Sequence, residues 1–509
     1  MFKKLYSKTL TFVIIIIGFY FFINSLIGHN KFHYLKSIID NDKKKLIKKY
    51  FFPYKFISQQ DKLISQQEQI ISRQDKKILF QEQKISQQEQ VNLQQEQTIL
   101  NHENNLYYIL QPNFLDLELS KKLMRFELTK KEIGSDIKTN KSLVKLLNNH
   151  TVNKFQLTSG FYSGIWNVFP ASGFIDFYND SIVVLSSRGV LALNRNLNND
   201  ENNFIQIKNN IGDFINMKQF EISNNFSIKD LLIFNKKIYV SFTEEIKKHC
   251  WNTSVIYGDI NNKNIIFKKL FSPKECIHAS DNIDKEFVAN QSGGRIIAFD
   301  ENNILLSIGD YRNRYLAQDK TSINGKIIKI NIHNNLYQII SMGHRNPQGL
   351  LFDKENNFIL ETEHGPQGGD EINLIEVNKL SDNQIQNYGW AISSYGQHYG
   401  GKTGENKKKY EKYPLYKSHS EHGFIEPLRS FVPSIGISEI VKVGQNKYVA
   451  SSLYDRSIYF FVITNQKKII NFEKVKVFER IRDLAFNKNK LYLFMEDTAS
   501  IGVINLNEN

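Results

Sequence analysis

The amino-acid sequence predicts an all-β fold, a six-bladed β-propeller, preceded by an N-terminal transmembrane helix and an α-helical coiled coil. Three observations predict it: an uncharged apolar run near the N-terminus, isoleucines at every seventh position, and six similar pairs of apolar strands. The 509 residues allow several domains, and the two cysteines exclude both a disulfide scaffold and a Cys-rich zinc module. The formal net charge of +14 raises the question of nucleic-acid or membrane binding.

Residues 9–28 are the predicted transmembrane signal anchor, after a short basic tail at residues 1–8. The run from Leu10 to Ile27 carries no charge, and about 18 apolar residues approach the lower limit for spanning a bilayer. A cleavable signal peptide is the alternative, but the sequence shows no clear small-x-small cleavage site. The basic juxtamembrane linker at residues 29–55 is richer in lysine than the tail, so the positive-inside rule alone would keep the globular part in the cytoplasm.

Residues 56–110 are predicted to form a coiled-coil stalk. Isoleucine occupies one seam position of successive heptads, while glutamine occupies the other, and this pattern is typical of an oligomerising helix. A Gln-rich disordered linker is the alternative, but the strict spacing favours the coiled coil. A mixed helical connector is predicted for residues 111–155. The repeat consists of Ile57, Ile64, Ile71, Ile78 and Ile85, and it resumes at Ile99 and Leu106.

Residues 156–509 contain a recurring unit in which two apolar strands flank a short turn rich in Asn, Asp and Lys. Each unit is predicted to be a β-hairpin. Six such units fit six blades arranged around an axis better than the alternative, a pair of β-sandwiches. The units begin at Phe174, Leu231, Ile296, Leu350, Ile440 and Leu484.

Five strings of residues follow one another at predicted strand ends and in the loops between blades: GHRNPQG at 343–349, EHGPQGGDEINLI at 363–375, NYGW at 387–390, EPLRSFVPSIGIS at 426–438 and ERIRDLAF at 479–486. Together they resemble the family of soluble glucose and sorbosone dehydrogenases that depend on pyrroloquinoline quinone (PQQ). The resemblance covers residues 156–509 and leaves the anchor and the stalk unexplained. It implies a quinone cofactor, calcium, and a sugar or alcohol as the small-molecule substrate.

The resemblance assigns the cofactor site to cationic and polar residues. A tricarboxylated quinone needs fixed positive charges, and arginine binds carboxylates with planar, bidentate geometry. Arg345, Arg480 and Arg482 stand at the matching positions, with Asn346 beside the first of them. At the position where the family has a cofactor-binding lysine, this sequence has Tyr454.

Calcium is implied at the HGPQGGDE string, because calcium prefers carboxylate and carbonyl oxygens. Gly365 and Pro366 would bind it through their carbonyl groups, Glu371 through its carboxylate, and Tyr388 lies in the adjoining loop. The alternative is that Asp370 and Glu371 only cap a turn. A zinc site is not indicated, since no zinc signature matches the spacing of His344, His364, His398, His419 and His422.

The catalytic position departs from the family pattern. A histidine serves the family as general base shortly before a Gly-Arg pair, and Gln291 takes its place before Gly294 and Arg295. A glutamine amide can orient a hydroxyl group, but it cannot accept a proton near neutral pH. Asp310 matches a retained acidic residue and is the candidate substitute base.

Two functions follow. The first is a membrane-anchored quinoprotein that oxidises aldoses or other alcohols with PQQ and calcium. The second is a catalytically inactive propeller that binds a sugar or an anionic ligand on an oligomeric stalk. The loss of the histidine and the lysine adds weight to this alternative, but the first function is the preferred one. A protein-binding propeller with a residual pocket is a third possibility.

The resemblance also implies a location and a set of partners. The globular part is expected in the periplasm or outside the cell, against the lysine distribution, and attached to the membrane by its anchor. Cys250 and Cys276 could pair in such a compartment or stay as buried thiols. The coiled coil predicts a homo-oligomer. No aromatic-basic pattern of a nucleic-acid module accompanies the positive charge, so nucleic acid is not an expected partner.

Overall fold

The computed structural model describes residues 136–146, 150–157, 161, 172–195, 197, 203–215, 217–223, 225–380, 385–402 and 404–506. Every described residue belongs to one compact unit, Pro112–Asn509. The predicted tail, anchor, linker and coiled coil therefore lie outside the described residues. Within the described part, no helix has the length and apolar character needed to cross a membrane.

Six mainly antiparallel sheets confirm the six-bladed propeller, and each predicted hairpin supplies the two innermost strands of one sheet. We number the sheets as blades 1–6 in the order of these hairpins. Blade 1 contains β4 (Gly173–Tyr178), β5 (Ser181–Ser186), β6 (Leu191–Asn194), β7 (Asn203–Asn209), β1 (Asp136–Lys138) and β11 (Asn264–Ile265). Blade 2 contains β8 (Ile228–Phe234), β9 (Lys237–Lys247), β10 (Cys250–Asp259), β12 (Lys268–Phe271) and β13 (Ile277–His278). Blade 3 contains β14 (Gly293–Asp300), β15 (Asn303–Ile308), β16 (Lys326–Asn331), β17 (Tyr337–Met342) and β21 (Gln386–Asn387).

The remaining three blades follow the same plan. Blade 4 contains β18 (Pro347–Asp353), β19 (Phe358–Glu363), β20 (Asp370–Glu376) and β22 (Arg429–Phe431). Blade 5 contains β23 (Ile437–Gly444), β24 (Lys447–Ser452), β25 (Ser457–Ile463) and β26 (Ile469–Lys476). Blade 6 contains β27 (Ile481–Asn487), β28 (Lys490–Met495), β29 (Ser500–Asn505), β3 (Thr151–Gln156) and β2 (Asn140–Lys145). In the described part of the chain, the α-helices are α1 (Met217–Ile222) and α2 (Lys407–Lys412), and single 3₁₀ turns occupy Ile211–Asp213, Arg314–Ala317, Val377–Lys379, Gly404–Asn406 and Ser420–His422.

The helical connector predicted for residues 111–155 is corrected from Asp136 onward, where the chain forms β1, β2 and β3. The physical reason is the open edge of the last sheet, because β29 needs a partner for its backbone groups. β3 supplies it, with Gln156 opposite Ser500 and Phe155 opposite Ile501. Blade 6 thus combines strands from both ends of the described chain, and the propeller begins at residue 136 instead of 156.

Apolar side chains of adjoining blades interdigitate to form the core. Leu185 and Leu193 of blade 1 pack in one cluster with Val240 and Phe242 of blade 2. The aromatic residue that precedes the hairpin turn also packs across blade boundaries, since the rings of Phe299 and Phe352 lie 4.8 Å apart between blades 3 and 4. The repeated phenylalanine of the sequence is therefore an inter-blade packing position.

The inner strands β4, β8, β14, β18, β23 and β27 lie side by side around the axis. The buried guanidinium of Arg295 on β14 contacts all five of the others, and we call this set of contacts the Arg295 hub. Burial raises the pKa of Asp230 to about 7 even though the nearby Arg295 lowers it. The hub comprises Asp230 Oδ1 (2.9 Å), Asp483 Oδ1 (2.6 Å), Glu439 Oε2 (2.8 Å), the carbonyl oxygen of Gln348, and the ring of Phe174 (5.4 Å to the ring centre).

Candidate active site

The residues predicted to carry chemistry lie at one end of the ring. The innermost strand of each blade begins at this end. The strand that follows it in sequence, which we call the second strand of the blade, is antiparallel to it and therefore finishes at this end. We call it the site end. The predicted residues precede or begin inner strands at Gln291, Arg345, Asn346, Arg480 and Arg482, or lie at or after the ends of second strands at Asp310, Gly365, Pro366 and Tyr454.

Three of the predicted residues form a buried triad. With its amide oriented to satisfy both neighbours, Gln291 donates from Nε2 to Asp310 Oδ1 (3.1 Å) and accepts at Oε1 from Arg345 Nη2 (2.8 Å). A backbone hydrogen bond also joins two members of the triad, since Asp310 N donates to Arg345 O (2.9 Å). Gln291 therefore bridges the candidate base and the first candidate cofactor-binding arginine.

Asp310 is fully buried, and its environment bears on its protonation. Burial raises the pKa of Asp310, while the Arg345 charge and donated hydrogen bonds lower it. The donors include Arg312 N (2.7 Å to Oδ1) and Trp390 Nε1 (2.7 Å to Oδ2). A carboxylate held in this way has a fixed orientation and a proton affinity above that of a solvent-exposed aspartate.

Arg345 is held by carbonyl groups and an aromatic ring. Its Nη1 donates to His364 O (2.8 Å) and Gly365 O (2.6 Å), and its guanidinium lies 5.5 Å from the Trp390 ring centre. The neighbouring Asn346 accepts from Gly293 N (3.1 Å), so its side chain holds the loop that follows Gln291. Both residues lie where the resemblance places them, with much of their bonding capacity already used within the protein.

Arg480 and Arg482 form a second cationic group around one carboxylate. Arg480 Nε donates to Glu496 Oε2 (2.9 Å) and Arg482 Nε to Glu496 Oε1 (2.6 Å). Burial opposes ionisation of Glu496, but the two arginines and a serine hydroxyl lower its pKa to about 2. Gln348 links this group to Asn346, since its side chain accepts from Arg482 Nη1 (3.1 Å) and donates to Asn346 Oδ1 (3.0 Å). Two arginines against one carboxylate leave a net positive charge.

Two further titratable side chains lie beside Arg482. Burial and, to a smaller extent, the nearby Arg482 charge lower the pKa of Lys229 to about 7. Burial also lowers the pKa of His364, whose surroundings include Asp370 on one side and both Arg482 and Arg345 on the other. Buried His364 Nε2 has no hydrogen-bond partner among the described residues. An unsatisfied polar atom within electrostatic range of two arginines is consistent with a site built for a polar ligand.

The four predicted calcium-binding residues fit the ion unequally. Gly365 O already accepts from Arg345, whereas Pro366 O receives only a long bond of 3.4 Å from Ser434. The buried carboxylate of Glu371 accepts a 3.4 Å bond from an asparagine side chain, and Tyr388 donates its hydroxyl to Leu374 O (2.6 Å). Carbonyl and carboxylate oxygens of this kind suit calcium, although an ion at Gly365 would share its carbonyl with a guanidinium.

Tyr454 is not brought into the buried part of the site. Its side chain is 72% exposed, and its backbone N donates to Ile435 O (3.1 Å). Ile435 N in turn donates to Asp370 Oδ2 (3.0 Å), so Tyr454 lies one loop away from the HGPQGGDE segment. In place of a lysine ammonium, this position offers a phenol directed to solvent.

Sequence reasoning missed several residues that the structure places in the site. Trp390 and His364 stand inside the quoted NYGW and EHGP strings, so closer attention to those strings would have found them. Glu496 follows a second strand just as Asp310 does, and an alignment of the six hairpins would have shown it. Lys229 carries no local signal, because only the burial of its strand makes it unusual.

Comparison with known proteins gives concordant results. The family described as Glucose / Sorbosone dehydrogenase matches residues 232–504. Aldose sugar dehydrogenase YliI of Escherichia coli is 27% identical over 183 residues, which are 33% of this chain and 45% of that protein. Quinoprotein glucose dehydrogenase B of Acinetobacter calcoaceticus is 28% identical over 131 residues, 20% of this chain and 26% of the relative. The chain thus spans half or less of the length of these curated relatives. A crystal structure of a glucose dehydrogenase aligns with a TM-score of 0.54 at 21% identity, covering 66% of this chain and 97% of the other, which supports the fold.

Proposed function

Because this chain belongs to the glucose/sorbosone dehydrogenase family, we propose that it is a quinoprotein-like dehydrogenase of aldoses or other alcohols whose proton acceptor is altered. The observation that carries the proposal is the buried triad of Gln291, Asp310 and Arg345 at the site end of the propeller. Relatives named as aldose sugar dehydrogenase and quinoprotein glucose dehydrogenase support the substrate and cofactor class.

The charges of the site fit a polycarboxylated quinone. Arg345, Arg480 and Arg482 would hold its carboxylates, and Lys229 adds a further positive charge when protonated. Bound PQQ would supply the chemistry of accepting the equivalent of a hydride from an alcohol carbon. Among the described residues, Glu496 is the carboxylate that forms side-chain ion pairs with both Arg480 and Arg482, so two cations share one direct counter-charge and favour an anion.

The triad itself determines what happens to the hydroxyl proton. Gln291 cannot accept it, so in our proposal Asp310 does, with Gln291 orienting both the carboxylate and Arg345. Burial of Asp310 favours proton uptake, and its bonds to Trp390 and Arg312 fix its direction. The cost is geometric, because a base displaced from the family position loses part of the benefit of alignment.

Calcium is the second proposed component, bound by Glu371 together with the Pro366 and Gly365 carbonyls. Its charge would offset the buried carboxylate of Glu371, whose pKa is raised by burial and by Glu363. The oxygen-only character of these three donors supports calcium over a thiophilic metal.

A catalytically inactive, ligand-binding propeller is the second candidate. Gln291 at the base position and the exposed Tyr454 at the lysine position favour it. In this case the cationic site would bind a sugar acid or another anion without turnover.

Reconstitution distinguishes the two candidates. Full-length protein is loaded with PQQ and calcium and assayed for aldose oxidation with an artificial electron acceptor, while quinone binding is followed by its absorption. We expect quinone binding with weak turnover, and Gln291→His should raise turnover by at least about 10-fold because a titratable base returns beside Asp310. The matched control is Gln466→His, an exposed glutamine on the opposite end of blade 5. Failure to bind the quinone would reject the proposal, and binding with no turnover in either variant would favour the inactive propeller.

We also propose that the propeller lies outside the cytoplasmic membrane, anchored by residues 9–28 and oligomerised by residues 56–110. The disulfide between Cys250 and Cys276 supports an oxidising compartment. Fusion of a compartment-specific reporter to the C-terminus tests the location, and a cytoplasmic signal would contradict it. Chemical crosslinking of the full chain in detergent should trap oligomers that Ile71→Asp abolishes.

A further inference from the structure

A second group of buried polar side chains lies in and just before blade 4, next to the triad. His344, in the loop before β18, and Glu361, on β19, are completely buried, and Glu363 at the end of β19 is nearly so. Asn373 on β20 lies directly opposite Glu361 and is also fully buried. Buried carboxylates are costly unless a cation or several hydrogen bonds compensate them.

No cationic side chain provides that compensation. Among the described residues, the ion-pair partner of Glu361 and Glu363 is His344 alone, and neither lysine nor arginine pairs with them. His344 Nδ1 lies 3.7 Å from Glu361 Oε2 and 3.7 Å from Glu363 Oε1. These distances are too long for hydrogen bonds.

The distances suit a shared metal ion. One ligand atom from each of His344, Glu361 and Glu363 lies within 4.8 Å of the others. Donors that each stand about 2.0–2.2 Å from one metal are separated by roughly 3–4 Å from one another. His344 Nδ1 and Glu361 Oε1 have no hydrogen-bond partner in the described structure, so both are available as ligands.

Supporting contacts hold the three ligands in place. His344 Nε2 is 2.8 Å from Ser341 Oγ, and the ring stacks on Tyr388 with centres 5.0 Å apart. Asn373 Nδ2 donates to Glu361 Oε2 (3.0 Å) and to Glu363 Oε1 (3.2 Å). A histidine whose far nitrogen is hydrogen-bonded, facing carboxylates that are themselves hydrogen-bonded, is the usual surrounding of a protein metal ligand.

We propose that His344 Nδ1, Glu361 and Glu363 bind one divalent transition-metal ion, of the Zn²⁺ or Mn²⁺ class. One imidazole nitrogen with two carboxylates suits such ions better than calcium, which prefers oxygen alone. The local spacing of histidines did not reveal this site, because its other ligands come from the neighbouring strand. It shares no ligand with the calcium proposed at Glu371, Gly365 and Pro366, although Glu363 lies directly opposite Glu371 and Asn373 Nδ2 donates to both carboxylates.

The metal would act on the active site through the backbone. Glu363 uses its second oxygen, Oε2, to accept from Arg345 N (2.6 Å). His344 immediately precedes Arg345, so a metal that fixes His344 and Glu363 also fixes the backbone of Arg345. The ion is therefore a positioning element for the triad and has no contact with the substrate.

Metal titration of the full-length protein tests the site. Protein stripped with a chelator is titrated calorimetrically with ZnCl₂ and MnCl₂, and with CoCl₂ while the visible absorption is recorded. We expect one equivalent to bind, a higher Tm with metal, and a Co²⁺ band typical of nitrogen and oxygen ligation. Glu361→Gln should weaken binding by at least about 100-fold, because it removes a ligand charge without changing the side-chain shape. Glu355→Gln, at a glutamate with a 77% exposed side chain, should bind as the wild type does.

Two further variants distinguish the proposed transition-metal site from the proposed calcium site. His344→Gln should lose the Co²⁺ band, whereas Glu371→Gln should keep transition-metal binding while weakening calcium binding. If Glu361→Gln does not fold, elemental analysis of purified wild-type protein and the His344→Gln result decide the question. Absence of stoichiometric binding by the wild type, or undiminished binding in both Glu361→Gln and His344→Gln, would overturn the proposal and show that protons alone neutralise the cluster.

Discussion

Replacing Arg295 by methionine tests the physical role of the Arg295 hub. Methionine is unbranched and similar in length, so it removes the guanidinium while filling much of the same space. The change leaves Asp230, Glu439 and Asp483 without their common partner at 2.6–2.9 Å. It also removes the donor to Arg482 O (2.7 Å).

The loss of stability can be worked from these contacts. Removing one partner of a buried ion pair costs about 3–5 kcal/mol, and each buried carbonyl left without a donor adds about 1–3 kcal/mol. The sum is on the order of 5 kcal/mol, comparable with the whole stability of many domains, which is about 5–15 kcal/mol. Arg295→Met should therefore lower the urea midpoint severely.

The pH dependence provides a sharper test. The pKa of Asp230 is raised to about 7, so the folded protein binds more protons than the unfolded chain between about pH 4 and 7, and this carboxylate destabilises the fold as the pH rises. Without Arg295 the pKa of Asp230 rises further. The difference between wild type and variant should be larger at pH 8 than at pH 5.5.

Tryptophan fluorescence during urea unfolding of the full-length protein measures the effect at both pH values. Arg429→Met is the matched control, since Arg429 is exposed and stacks on Phe472 with its guanidinium 3.7 Å from the ring centre. We expect this control to lose no more than about 1 kcal/mol. A loss of less than about 1 kcal/mol in Arg295→Met, or a loss independent of pH, would refute the reasoning.

Three other predictions concern the site and the disulfide. Lys229 has a pKa of about 7 beside Arg482, so PQQ should bind more tightly at pH 6 than at pH 8, and Lys229→Met should abolish this dependence in an absorption titration. Because the pKa of Glu496 is lowered to about 2, its ionised side chain adds on the order of 3 kcal/mol to the free energy of unfolding above about pH 4.5, and this stabilisation is lost as the pH falls towards 2. Glu496→Gln should lose that amount at pH 7 in urea unfolding yet bind PQQ more tightly, and unchanged affinity would contradict a role of the arginines in anion binding. The disulfide closes a loop with a sequence separation of 26, so Cys250→Ser with Cys276→Ser should cost about 3–4 kcal/mol, and an equal midpoint with and without dithiothreitol in the wild type would contradict this.

Local patterns predicted the hairpins because each depends on residues close in sequence. Phe177 and Phe299, for example, precede short turns that any pair of apolar strands would use. The closing strands were missed for a different reason, since β3 forms a hairpin with β2 but joins blade 6 only through its pairing with β29. Pairing between distant segments leaves no local signal in a single sequence.

The candidate site likewise contains residues that local motifs predicted and contacts that they could not predict. Gln291, Asp310 and Arg345 were predicted from their motifs, and the structure brings them into contact. Tyr454 was assigned by its position in a motif, but its side chain is directed to solvent. The contacts of Glu361 with His344 arise from neighbouring elements of the fold, so only the three-dimensional structure reveals them.

The shared construction of blade 6 has a consequence for folding. Because β3 pairs with β29, ribosomal synthesis must pass Ser500–Asn505 before the ring can close. Until then β3 and the growing blades expose unpaired edges, which is when aggregation threatens a β protein. Pairing of β3 with β29 joins segments that are far apart in sequence, so we expect this final step of folding to be slow. β29 is thus the strand that closes the propeller, and we expect truncations within Ser500–Asn505 to yield insoluble chains.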